Sequence, residues 1–189
     1  YDEAESWIEQ MLARARTNLE KAEILSMRTR QYATIGKMEE SIRAATMGLS
    51  LLGMRITGNP DRAAIRREIA AVRRNLAGRR IADLILAPSM SDRAKMLAVR
   101  LLMEIFPAAF LSGSGNLFPF LVLKSVNISL RHGTSPESAF AYAAYGMLLC
   151  GALDDPALGY EFGKLAVAMN DRFDDIALKS RVIYLYAMF

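Results

Sequence analysis

The sequence predicts an all-α protein, built as a right-handed solenoid of stacked antiparallel helical hairpins. Apolar residues recur at helical spacing from the first segment onward, at Trp7, Ile8, Met11, Leu12 and Ala15. Few β-branched residues are clustered, so strands have little support. The links between the predicted helices are short, which makes neighbouring helices antiparallel, and such hairpins bury their remaining apolar faces by stacking.

Capping and stop residues divide the chain into about ten helices. The second and third helices are predicted over about 19–33 and 38–52, with Gly36 at the corner between them. Three later helices are predicted to begin at about Asp61, Ser91 and Pro119 and to end at about Gly78, Pro107 and Gly133. Two more begin at the cap residues Ser135 and Asp155, each of which is followed by proline.

We expect one module over residues 1–189, truncated at both ends, because the chain begins and ends inside a helical unit. Regular repeats occupy 1–55, an Arg-rich helix and a short helical insertion occupy 56–90, and further hairpins occupy 91–189.

Composition argues against secretion, membrane insertion and catalysis. Cys150 is the sole cysteine, and the uncharged stretches 105–123 and 138–153 are interrupted or too short to span a bilayer, so we expect a cytoplasmic protein. His132 is the sole histidine and sits at a helix end, where interaction with the helix dipole explains it. Without a set of nucleophile, base and orienting group, we expect no enzyme activity, no cofactor and no metal.

Positive charge is concentrated in one predicted helix. Residues 61–80 contain seven arginines against Asp61 and Glu68, in a chain whose net charge is +4. Arg66 and Arg73 are seven residues apart on one helix face, and Arg62 extends the stripe by one turn. The stripe either binds nucleic acid through phosphates, without interleaved aromatic residues, or is a solvated face that contacts water or an acidic neighbouring domain.

Residues 22–53 resemble the 34-residue tetratricopeptide repeat. The positions that carry the likeness are the large residues Leu25 and Tyr32, the turn residue Gly36, and the small residues Ser41 and Gly48, with Ala4 and Gly159 as small positions of other units. The resemblance implies a concave face that includes Glu23, Ser26, Arg30 and Ala33. On that face Arg30 would hold a partner carboxylate, unless these residues are ordinary surface polarity.

A second resemblance covers most of the chain. The stretches "SLLGMRITGNPDRAAIRREIAAVRRNLAGRRIADLILAPSMSD" and "LRHGTSPESAFAYAAYGMLLCGALDDPALGYEFGKLAVAMNDRF" are similar to the helical region of very large bacterial signalling proteins. In those proteins, serine/threonine-kinase-like and P-loop ATPase domains come before this region, and GAF and histidine kinase or related output domains follow it.

This resemblance implies a non-catalytic scaffold within a sensor kinase, which binds neighbouring domains or a signalling partner. An alternative is the inducer- or partner-binding helical region of an ATPase-type transcription regulator. We also expect the chain to self-associate through exposed repeat ends.

Overall fold

A computed structural model describes residues 2–111, 113 and 115–188 of the chain. In this part the chain forms ten α-helices and one 3₁₀ helix, without a strand, which confirms the all-α prediction. The helices are α1 (Asp2–Arg14), α2 (Asn18–Thr34), α3 (Met38–Leu51), α4 (Arg62–Leu76), the 3₁₀ helix (Ile81–Leu86), α5 (Arg93–Glu104), α6 (Phe106–Leu111), α7 (Leu117–His132), α8 (Pro136–Gly151), α9 (Pro156–Phe173) and α10 (Ile176–Met188).

Helices α2 and α3 form an antiparallel hairpin whose turn needs a left-handed residue. Gly36 supplies it with φ of 77°. Leu25 and Ser41 are buried between the helices, and the Ser41 hydroxyl donates a hydrogen bond to the Thr29 carbonyl at 3.0 Å. A Cβ on Gly48 would lie 3.0 Å from Leu101 Cδ1, so a small residue is needed where α3 meets α5.

Two other predicted repeat positions differ in their surroundings. Tyr32 is half-buried, and its hydroxyl donates to Glu5 Oε1 on α1 at 2.9 Å. Ala4, predicted as a small position of a preceding unit, is exposed, and α1 rests on α2 through the buried Ile8 one turn later. The repeat role predicted for Ala4 stays a prediction.

Helix α4 interrupts the succession of antiparallel hairpins, because it packs on α7, which comes much later in the chain. Its apolar side includes the fully buried Val72. A hydrogen bond also connects the two helices, because the Asn127 side-chain amide of α7 donates to Glu68 Oε2 of α4 at 2.8 Å. The 3₁₀ helix then packs on α9. The backbone of Met90 next bonds to the Thr134 carbonyl at 2.8 Å, which ties this crossing segment to the α7–α8 connection.

The C-terminal helices form a second tight hairpin, α8–α9, with α10 packed against both. Glycines allow the close approach, because a Cβ on Gly146 would lie 2.8 Å from the Gly159 carbonyl oxygen. A Cβ on Gly159 would lie 2.5 Å from Cys150 Sγ. Gly159 thus occupies a position where the backbones of two helices nearly touch.

Two predicted boundaries of the fifth helix are wrong. Asp92 rather than Ser91 is the N-cap, since its Oδ1 accepts hydrogen bonds from the Ala94 and Lys95 amides at 2.9 and 3.1 Å. The helix ends at Glu104, and α6 follows as a separate short helix up to Leu111. No helix in the described part of the chain is both long enough and apolar enough to cross a membrane.

Candidate functional site

Four helices form a row in which each contacts the next: α2, α5, α8 and α10. We call this set the inner row. Glu23 and Arg93 pair near the beginnings of α2 and α5 at 2.9 Å, and Arg30 and Glu104 pair near their ends at 3.4 Å, so the two helices run parallel. The predicted concave-face residues Glu23, Ser26, Arg30 and Ala33 all lie on α2.

Helix α5 covers part of that predicted face. Ser26 is 3% exposed and its hydroxyl lies 2.9 Å from both carboxylate oxygens of Glu104, so its predicted role as a partner contact is wrong. Ala33 is half-buried. Arg30 uses Nε in its ion pair with Glu104, yet its side chain remains 63% exposed.

A polar cluster begins at the α2–α5 contact and continues to α8. Its members are Ser26, Arg30, Arg100, Glu104, Ser135 and Glu137. Arg100 Nε donates to Glu137 Oε1 at 2.8 Å, and the Ser135 hydroxyl donates to Glu137 Oε2 at 2.9 Å. Burial raises the pKa of the Glu104 carboxyl to about 7, against the Ser26 hydrogen bond and the positive charges of Arg30 and Arg100, which lower it. The cluster therefore holds a carboxyl group that titrates near neutral pH at the α2–α5 contact.

Beyond the polar cluster, α8 and α10 of the inner row form an open apolar groove of about 690 Å³ together with α6. We call it the apolar groove. Its floor is aromatic: Phe106, Phe118 and Phe140 are buried, and the Phe106 ring centroid lies 5.7 Å from those of the other two. The floor is therefore held by ring contacts that join α6 to α7 and to α8.

The walls of the apolar groove are large side chains that solvent reaches. Phe110 and Leu111 of α6 are 63% and 68% exposed, and Tyr184 and Met188 of α10 are 63% and 52% exposed. Among the described residues that line the groove, Arg181 carries the only charge. It is exposed and forms no ion pair within the described part of the chain, so its positive charge lies at the groove without a carboxylate partner there.

The Arg-rich helix α4 has a different character. Its five arginines, including the predicted stripe Arg62, Arg66 and Arg73, are all exposed, as are Arg79 and Arg80 just beyond its end. Arg79 donates to the Leu130 carbonyl at 3.3 Å, and Arg80 pairs with Asp83 at 2.9 Å. The predicted stripe makes no ion pair with a described residue, and it lies on α4 rather than on the inner row.

Residues with catalytic or metal-binding chemistry are dispersed. Within the described ranges, no three His, Cys, Asp or Glu side chains come together in a way that could hold a metal ion. His132 lies in the last turn of α7, and Cys150 is half-buried beside Gly159. The structure therefore brings neither of them into the polar cluster or the apolar groove.

Sequence comparison finds one signalling protein. Over 204 residues the chain is 21% identical to "Hybrid signal transduction histidine kinase G" of Dictyostelium discoideum. The match takes in 98% of this chain and 6% of that kinase. No family model matches the chain, and no solved structure matches it. The tetratricopeptide resemblance therefore stays a prediction.

Sequence reasoning missed the α5 and α10 parts of the inner row. Arg93, Arg100 and Glu104 are seven and four residues apart, which places them on one face of α5, and that spacing could have indicated a polar face. Arg181 gave no such signal. It lies 41 residues after Phe140 in the sequence, although both residues line the groove.

Proposed function

We propose that this chain is a non-catalytic module of a larger signalling protein, and that it acts by binding a protein along its inner row. The observation that carries the proposal is the exposed apolar groove, which α8 and α10 of the inner row form together with α6. Contiguous exposed apolar surface with a polar surround is typical of protein interaction sites.

The order of helix contacts supports a solenoid of hairpins. Each inner-row helix contacts the next one, and α3, α7 and α9 each bridge two successive inner-row helices. Such nearest-neighbour packing is how stacked hairpins bury their faces, and it generates an extended surface for a partner. The likeness to a hybrid histidine kinase supports the signalling context, with kinase and ATPase activities assigned to other parts of the full protein.

Site-specific photo-cross-linking in the source cells tests the binding function. The benzophenone amino acid replaces Tyr184 in the apolar groove or, as a matched control, Arg67 on the solvent side of α4. We expect a discrete protein adduct from position 184 and none from position 67. Equal adducts at both positions, or none at position 184, would refute binding through the inner row.

The gene tests the signalling context separately. Reading frames continuous with this segment should encode P-loop ATPase or kinase motifs on one side and GAF or histidine kinase motifs on the other. A helix-turn-helix output in place of the kinase would favour the transcription-regulator alternative. If neither type of motif were present, the proposal of a signalling module would lose its support.

Helix α4 favours a second candidate, the binding of nucleic acid. Its arginines project from a helix whose apolar side is already fixed on α7, so they are free to meet phosphates. A binding titration with duplex DNA and with single-stranded RNA tests this function. Affinity should fall steeply with salt and should disappear in the double variant Arg66→Glu with Arg73→Glu.

A further inference from the structure

We propose that the apolar groove binds an amphipathic helix that carries an acidic residue opposite Arg181. This inference rests on the proposed function, because it names the chemistry of the partner for the same surface. The apolar lining selects the apolar face of the partner, and the single cation of the lining selects the charge beside that face.

The openness of the groove favours a helix over a small apolar ligand. Small-molecule sites enclose most of the ligand surface. Here the side chains at the rim, Phe110 and Leu111 on one wall and Tyr184 and Met188 on the other, are each more than half exposed. A helix about 10–12 Å in diameter covers both walls at once, whereas an alkyl chain on the floor leaves them in water.

The lining also contains adaptable side chains. Met147 of α8 and Met188 of α10 both line the groove, and methionine adjusts its shape to different apolar partners. The buried rings of the floor supply a fixed base beneath them. This combination suits apolar anchors at i, i+3, i+4 and i+7 of a partner helix.

Arg181 supplies the charge preference. Its side chain is exposed at the groove and has no acidic partner among the described residues, so a partner carboxylate gains an ion pair without breaking one. A lysine at the same place of the partner would face repulsion. The preference for an acidic helix is therefore a property of this one position.

A displayed library of amphipathic helices tests the proposal directly. Each member has about 18 residues, or five turns. Leucine, methionine or phenylalanine occupies one face, and glutamate, glutamine or lysine occupies all the remaining positions. Selection against the wild-type chain should enrich glutamate beside the apolar face. Arg181→Glu should weaken the selected peptides about tenfold and should restore binding to their lysine counterparts.

Two further variants complete the experiment. Arg67→Glu, a matched change of an exposed arginine on α4, should leave the affinity unchanged. Leu111→Glu, an exposed change in the groove wall, should weaken all peptides whatever their charge. Circular dichroism and thermal melting should show that each variant remains folded.

The remaining outcomes separate this inference from the proposed function. Selected helices without acidic preference, unaffected by Arg181→Glu, would overturn the charge assignment. Tight binding of decanoate without binding of any helical peptide would overturn the proposal of a helical partner and would indicate a small-molecule site. In both cases a protein adduct from position 184 would keep the interaction function, and the loss of that adduct as well would refute both.

Discussion

Glu104 links α2 to α5 through a carboxyl group whose protonation differs between the folded and unfolded chain. Its side chain is 6% exposed, and burial raises its pKa from the ordinary value of 4.5 to about 7. The folded state therefore retains a proton that the unfolded state has lost between these two values. The stability that this proton contributes is fully present below about pH 4.5 and is lost as the pH rises through about 7.

The pKa difference sets the size of the effect. One pKa unit corresponds to about 1.4 kcal/mol, so the full shift corresponds to about 3 kcal/mol of unfolding free energy. In Glu104→Gln the side chain stays neutral and can still accept a hydrogen bond from Ser26. The variant should match wild type near pH 4 and exceed its stability by up to about 3 kcal/mol near pH 8.

Urea unfolding followed by circular dichroism at several pH values between about 4 and 8 measures this difference. Glu161→Gln is the control, because it neutralises an exposed carboxyl on α9 whose Lys164 pair is solvent-accessible. Its stability should follow wild type across the range. A difference between Glu104→Gln and wild type that does not change with pH would refute the reasoning.

Three further predictions concern packing, capping and charge. Gly159→Ala places a Cβ 2.5 Å from Cys150 Sγ and should lower the unfolding free energy by about 1–3 kcal/mol in urea titrations; an unchanged value would contradict the close approach of α8 and α9. Asp155→Ala removes the cap that accepts from the Leu158 amide at 3.1 Å, costing about 1 kcal/mol and lowering the melting temperature by about 2–4 °C in calorimetry, whereas Asp155→Asn should retain most of it. Reversing Arg66 and Arg73 together to Glu should leave the melting temperature unchanged within about 1 °C, because both side chains are solvated; a large loss would mean that they stabilise the fold.

Local signals in the sequence predicted the helices well. Asp61 and Asp155 cap the helices that they were expected to begin, and Gly36 and Gly133 end helices with positive φ of 77° and 96°. These features depend on a few consecutive residues, whose hydrogen bonds and backbone angles are set locally. The position of each helix in the chain was therefore accessible without the structure.

Contacts between distant segments were not accessible in this way. Helix α4 packs on α7 because Val72 and Glu68 meet a surface that includes Asn127, and nothing within 61–80 specifies that surface. The burial of Ser26 likewise depends on Glu104 from α5. The apolar groove combines α6, α8 and α10, so it follows from how the helices stack rather than from any single pattern.

Association between copies of the chain remains a prediction. Trp7 of α1 is 57% exposed, and Ile183 of α10 is 44% exposed, so both helices offer apolar side chains to a neighbour. Sedimentation equilibrium over a range of concentrations would measure such association. Association that persists in Leu111→Glu would place the contact outside the apolar groove.

Amide hydrogen exchange of the chain, alone and bound to the partner recovered by cross-linking, tests the central claim most directly. Binding in the apolar groove predicts slower exchange in α6, α8 and α10, with the largest change around Phe110 and Tyr184 and little change in α4. Protection confined to α4, or absent from α6, α8 and α10, would contradict an interaction module that works through this surface.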